Sequence, residues 1–246
     1  MKRLIKKSEQ FNDLIFGGQF FVNKPVYPNK ESVHPYSSVV YWSNGYIKGD
    51  SLFDLHPHQG FEIMTFIFEG KVEHFDTATQ VWTPLHGGDF QIIQSNSGIQ
   101  HSEKVLKGTR SFQIWFDPHF YETVKLKPSY KDYYGKDLST VIENGIETLI
   151  YVGEGSGTKV TTPNLTIKKL IFKERTKTTY PLKKSMSYTF YALYGEGFIN
   201  GEKLDTDDAI RISDTDELEI DFKGEVFFVE TPTELDYEPI WSYKQS

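Results

Sequence analysis

Glu62-Ile-Met-Thr-Phe-Ile-Phe68, ended by Glu69-Gly70, is the stretch on which the reading of the fold turns. It is short, apolar, rich in β-branched and aromatic residues, and stopped by glycine, which is the signature of a buried strand. Runs of the same style recur on either side. Val39-Val-Tyr-Trp42 precedes the turn-like Ser43-Asn44-Gly45, Phe90-Gln-Ile-Ile93 follows Gly87-Gly88-Asp89, and Arg110-Ser-Phe-Gln-Ile-Trp-Phe116 follows Lys107-Gly108. The second half repeats the pattern in Leu165–Phe172, Tyr188–Tyr194, Glu217–Phe222 and Glu225–Val229. Many short strands at close spacing, separated by Gly, Asn and Asp, predict a barrel or sandwich. No long stretch sustains a 3.6-residue period, and the best helix candidate is a weak one within 117–143. The expected class is all-β.

Composition supports this. Among 246 residues are 15 Tyr, 19 Phe and 4 Trp, residues that suit a pleated, half-buried surface. A formal net charge of −7 argues against an electropositive nucleic-acid surface. With no cysteine, disulfides, thiolate metal sites and cysteine nucleophiles are excluded. No run approaches the ~18 apolar residues of a membrane span. The start, Met1-Lys-Arg-Leu-Ile-Lys-Lys, lacks the apolar core of a signal peptide. The expectation is a cytoplasmic protein with no membrane and no direct nucleic-acid partner.

The region 117–147 differs from its surroundings, with Pro118, Pro128 and the tyrosine-rich Ser129-Tyr-Lys-Asp-Tyr-Tyr-Gly-Lys136. It reads as a connector between two β units, predicting domains over 1–130 and 131–246. The halves are alike in style. Phe66-Ile-Phe-Glu-Gly70 followed by Gly88-Asp89 is echoed by Ala192-Leu-Tyr-Gly195 followed by Asn200-Gly201 and Asp207-Asp208. That echo suggests duplication.

Histidines decide which half to search. His34, His56, His58, His74, His86, His101 and His119 are all of them, so the second half supplies no imidazole. Counting back from Gly195 as from Gly70, His56 and His58 correspond to Pro181 and Lys183. The C-terminal half therefore reads as a degenerate copy without a metal site. In the first half, His56-Pro-His58 puts two imidazoles at i and i+2, on one face of a strand, and His101-Ser-Glu103 does the same for an imidazole and a carboxylate. Pairing these elements across a barrel would converge three nitrogens and one carboxylate. That donor set suits Fe(II), Mn(II), Ni(II), Cu(II) or Zn(II), with positions left open for O2 or a chelating substrate.

The spacing His56-x-His58-x3-Glu62-x7-Gly70 resembles the first cupin motif, and Gly88-Asp89-x8-Gly98-x2-His101 the second. More narrowly, His56-Pro-His-Gln-Gly-Phe-Glu62, Phe68-Glu-Gly-Lys-Val-Glu-His74 and Ser97-Gly-Ile-Gln-His-Ser-Glu103 resemble the pirin family, as do Gln113-Ile-Trp-Phe116 and Pro128-Ser-Tyr130. The resemblance spans about 34–130. It implies a bicupin, with two β-barrel or jelly-roll domains in tandem and one metal, most often iron, held by His56, His58, His101 and Glu103. It also implies a quercetin 2,3-dioxygenase-like oxidoreductase taking a flavonol or similar aromatic chelator and O2, with Glu103 or Glu62 as the base. The alternative is an iron-binding regulatory protein that acts through protein partners, transcription factors among them. Oxygen consumption with flavonols separates the two.

Two positions and one missing segment depart from the pattern. Gln59 stands where many members have Arg, and Asn96 where glycine is usual. The closing family segment around His-Gly-Pro-Phe is missing, which implies a more open cavity. If the strand is regular, parity puts Glu62 on the face of His56 and His58, to ligate, to orient an imidazole or to serve a structural role. His74 reads as a partly exposed strand residue, and His34, His86 and His119 carry no assigned chemistry. Phenylalanines and tyrosines within 61–68 and 112–116 either line an apolar pocket or form core.

Overall fold

The structure, a computed structural model, describes residues 1–28 and 33–242. Nineteen strands form among these residues, most of them ending where Gly, Asn or Asp reverses the chain. In order these are β1 (Lys2–Ile5), β2 (Phe11–Ile15), β3 (Phe20–Val26), β4 (Val39–Ile47), β5 (Ser51–His58), β6 (Glu62–Glu69) and β7 (Lys71–Asp76). Next come β8 (Trp82–His86), β9 (Phe90–Gln94), β10 (Ile99–Val105), β11 (Arg110–Phe116), β12 (Ser129–Tyr133) and β13 (Ser139–Glu143). The last are β14 (Ile146–Val152), β15 (Thr166–Pro181), β16 (Met186–Ile199), β17 (Glu202–Asp205), β18 (Ala209–Ser213) and β19 (Glu217–Pro232). All named pairings are antiparallel, as expected for strands joined by tight turns.

Two compact units result. The first comprises 10–137 with 237–242 and holds a seven-stranded sheet, β12-β9-β6-β11-β4-β3-β2, and a four-stranded sheet, β5-β10-β7-β8. The deciding stretch, β6, lies inside the larger sheet with Glu62 to Ile67 all buried, which accounts for its unbroken apolar run. Trp42, Phe66, Phe90, Phe112 and Phe116 are fully buried around it, each worth roughly 1.5–3 kcal/mol of transfer free energy. The second unit comprises 1–9 with 138–236 and holds β1-β18-β16-β19-β15-β14-β13, with β17 paired to β16. Its hydrophobic core cluster includes Leu170, Phe172, Phe190, Ile210, Phe222 and Phe228.

Three features differ from the sequence reading. Glu217–Phe222 and Glu225–Val229, read as two strands, are one, β19. Gly224 looked like a turn, but it faces Gly195 where the two strands bend together at positive φ (128° and 92°). A Cβ on Gly224 would lie 2.1 Å from the Tyr194 carbonyl oxygen, and one on Gly195 2.0 Å from that of Lys223. Only glycine allows so close an approach, so the ladder continues through the bend.

Second, the weak helix candidate is a single turn, α1 (Phe120–Thr123), started by Asp117 Oδ1 accepting from His119 N (3.0 Å) and Phe120 N (2.7 Å). The rest of 117–147 is not a plain connector: β12 pairs with β9 and β13 with β14. Against the expected division after residue 130, β12 falls in the first unit and the chain passes between units at 137–138. Third, the ends cross over. β1 pairs with β18 of the second unit, while Ile240 N donates to Asp117 Oδ2 (2.7 Å) and Trp241 Nε1 to the Ser37 carbonyl (3.0 Å) in the first. No local pattern carries such an exchange.

Candidate metal centre

β10 runs between β5 and β7, with His101 opposite His56 on one side and Glu103 opposite His74 on the other. β5 is an edge strand, which is why Pro57 is tolerated between its two histidines. The β10–β5 register shifts between His101 and Glu103, whose partners are His56 and Phe53, so the extra residue lies on β5. The imidazoles of His56, His58 and His101 converge, with ring centroids 4.3–4.9 Å apart. One nitrogen from each lies within 4.8 Å of the others, close enough to hold one ion. Glu103 falls in an overlapping group with His101 and His74 under the same limit. Three of the four expected residues, His56, His58 and His101, form one group, whereas Glu103 is grouped with His101 and His74, which the sequence reading set aside.

Hydrogen bonding tests whether an ion fits. His56 Nδ1 lies 2.7 Å from the Asp54 carbonyl oxygen, so it carries the proton and leaves Nε2 as the donor to an ion. His58 Nε2 and both nitrogens of His101 are buried without a hydrogen-bond partner among the described residues. A buried polar atom left so costs about 1–3 kcal/mol, and a cation would draw on one lone pair from each of His58 and His101, the second His101 nitrogen carrying the ring proton. Burial, reinforced by the neighbouring imidazoles, pushes both His58 and His101 down to about 3, so they stand as neutral nitrogen donors. The donors present fit a divalent transition metal.

Glu103 is buried and held by amides. Gln113 Nε2 donates to Oε2 at 3.2 Å, and Gln91 Nε2 reaches Oε1 at 3.4 Å. Gln113 is fixed in turn by Trp115, whose Nε1 donates to its Oε1 at 2.9 Å. Tyr130 donates to Gln91 Oε1 (3.0 Å) and also contacts Asp132; burial pushes the phenol far above its usual range. A chain of buried and half-buried polar side chains therefore fixes the carboxylate.

In front of the centre lies a cavity of about 310 Å³, lined by His56, His58, Glu103, Gln113 and Trp115 together with Phe20, Tyr41, Phe53 and Lys24. Of the aromatic segments read as lining or core, Phe66, Phe112 and Phe116 are core, with 0 % exposure, and Trp115 lines the cavity. Lys24 is half-buried, its Nζ 4.3 Å from the Tyr27 ring centroid, 5.1 Å from Phe11 and 5.5 Å from Tyr41. Burial pulls its ammonium below the ordinary lysine value, against the opposing charge of Asp13.

Glu62 corrects an expectation. The parity argument required a continuous strand from His56, but the chain turns at Gly60 (φ 80°) and Glu62 begins β6 in the other sheet. There it is buried, accepts from Gln94 Nε2 at 3.1 Å, and belongs to neither donor group. Asn96, where glycine was expected, sits at φ 43° and donates through Nδ2 to the Lys127 carbonyl at 2.7 Å, so asparagine serves that turn. Gln59 donates to the Ser97 carbonyl at 3.2 Å. The residues the sequence reading missed are His74, Asp76, Gln91 and Lys24. His74-x-Asp76 repeats the i, i+2 spacing of the other two elements, a signal that was present.

Two strand-built units, with a cluster of imidazole and carboxylate donors in the first, define a bicupin with a candidate metal centre. Residues 19–116 match the family model Pirin. A protein of Pasteurella multocida named "Putative quercetin 2,3-dioxygenase PM1685" is 29% identical over 175 residues, covering 69% of this chain and 71% of that one. Pirin-like protein 2 of Arabidopsis thaliana is 33% identical over 109 residues, covering 43% of this chain and 32% of that one. Among solved structures, the bacterial pirin YhhW of Escherichia coli in complex with nickel(II) superposes with a TM-score of 0.79 at 22% identity, over 95% of this chain and 100% of that one. A quercetin 2,3-dioxygenase of Acinetobacter baumannii gives 0.80 at 22% identity, over 100% and 86%. At these identities the structural likeness speaks for the fold. Among the described residues no helix is long and apolar enough to cross a membrane.

Proposed function

We propose that this chain is a metal-dependent oxidoreductase of the quercetin 2,3-dioxygenase type, acting with O2 on a flavonol or a similar aromatic chelator. The observation that carries this is the opening of an imidazole and carboxylate cluster into an aromatic-lined cavity of about 310 Å³. The names of its relatives support the reading. His56, His58, His101 and Glu103 would hold one divalent transition metal, Fe(II) being the first choice and Mn, Ni, Cu and Zn the others. When bound, such an ion supplies Lewis acidity toward a chelating hydroxyl and carbonyl and a means of engaging O2.

This chain's residues do the rest. Two imidazoles held neutral by burial stay available as donors across the physiological pH range. Glu103 is anchored through Gln113 and Gln91, so one of its oxygens can accept the proton of the substrate hydroxyl while the other stays hydrogen-bonded. Trp115, Tyr41, Phe20 and Phe53 line the cavity, offer faces for an aromatic substrate and exclude water. Lys24 lines the same cavity and favours a substrate carrying negative charge. Glu62 has no part in this reading.

The experiment is oxygen uptake by the metal-loaded protein with a panel of flavonols, beside the metal-free protein and His101→Ala. Turnover that requires both the metal and His101 supports the proposal. Stoichiometric metal without turnover on any chelating aromatic overturns it in favour of a metal-binding regulatory protein.

A further inference from the structure

His74 is the side chain whose surroundings depart furthest from the sequence reading. Expected to be partly exposed, it is fully buried, stacks face to face on Tyr130 with centroids 4.3 Å apart, and brings its ring within 5.3 Å of His101. Its Nε2 lies 3.3 Å from Asp76 Oδ2. Asp76 is itself clamped, accepting from Ala78 N (2.8 Å), Thr79 N (2.7 Å) and Thr79 Oγ1 (2.8 Å). The other ring nitrogen, Nδ1, is buried and has no hydrogen-bond partner among the described residues. An imidazole backed by a fixed carboxylate through one nitrogen, with the second nitrogen bare, is how ligating histidines are oriented.

We propose that His74, His101 and Glu103 form a second, overlapping position for a divalent transition-metal ion, with His74 ligating through Nδ1. One donor atom from each lies within 4.8 Å of the others, and all three residues are buried. Two imidazoles and one carboxylate suit a first-row divalent ion and leave coordination positions open. This rests on the metal-centre reading above and extends it, because His101 and Glu103 are shared. The ion then has two seats on one wall: one reaching out to the edge strand β5, the other lying on the interior strands β10 and β7. Losing His56 and His58 empties the first seat and leaves the second.

The test is Co(II) titration, followed by calorimetry and visible absorption, of the native chain, of His56→Ala/His58→Ala, and of that variant with His74→Ala added. The expected result is about one equivalent bound by the native chain and by the double variant. Adding His74→Ala then lowers the affinity of the double variant by ~10–100-fold or abolishes binding. A double variant that keeps native circular dichroism yet takes up no Co(II), or binds it equally well without His74, overturns the inference and leaves the first centre standing. A native chain that binds no Co(II) overturns both. If the double variant does not fold, His56→Ala alone carries the same comparison, with and without His74→Ala.

Discussion

The two barrels share their strand construction and differ in what fills them. In the C-terminal unit, Leu170, Phe172, Phe190, Phe222 and Phe228 close the interior with apolar side chains, each at or below 1 % exposure. In the N-terminal unit one wall carries His56, His58, His74, His101 and Glu103, and the facing sheet answers with Thr65, Gln91, Gln113 and Tyr130. An apolar interior satisfies itself by packing. A polar one must match every donor and acceptor, and the unmatched nitrogens of His58, His74 and His101 mark where the protein alone does not complete it. Pro181 and Lys183, the counterparts of His56 and His58 by sequence count, are exposed in the second unit. The lesson is that one strand framework becomes a scaffold or a site according to a handful of inward positions.

The comparison can be broken from either side. The largest effect is expected for His101→Ala, which removes an imidazole common to both donor groups. Metal affinity should fall by more than ~100-fold, read by elemental analysis of protein purified without a metal-affinity tag, and oxygen uptake should vanish with it. A variant active without metal would sink the proposed mechanism. Its converse is Phe190→Ala in the other barrel, which should cost about 3–5 kcal/mol in denaturant unfolding and leave metal stoichiometry unchanged.

Acid sharpens the same contrast. His58 and His101 titrate near 3 when folded and near 6.5 when unfolded. The unfolded chain therefore binds more protons between those values, and stability of the metal-free protein falls as pH drops through that window. The slope is on the order of 1 kcal/mol per pH unit per histidine, less where water reaches the rings. Thermal melts of metal-free native protein against His58→Ala, from pH 7 to 4, check this; parallel curves would refute it. The smallest effect is expected for Lys24→Met. An anionic flavonol should bind about fivefold more weakly by tryptophan fluorescence quenching, with a neutral analogue unaffected, in keeping with ~1 kcal/mol for a partly exposed charge pair.

Much of the site was readable because it is local. His56 and His58, or His101 and Glu103, share a face whenever their segments are extended, and nothing distant alters that. Glu62 was misplaced for the complementary reason. The same counting was carried across Gly60, where the chain leaves one sheet for the other. His74 was undervalued because its importance comes from being opposite Glu103 in register and beside Tyr130, both long-range facts. Gly224 was read as punctuation because a glycine forced by a close crossing and one that makes a turn look identical in one dimension.

The sequence by itself determined that the chain is all-β, that every histidine lies before residue 120, and which side chains share a strand face, since strand periodicity and turn residues act over a few positions. Only the tertiary structure decided that β10 lies between β5 and β7, that the regular β10–β7 register puts Glu103 opposite His74, and that the two ends of the chain exchange units. Those outcomes depend on which strands pair and in what register. That is chosen by burial summed over the whole molecule and leaves no mark in any short stretch of residues.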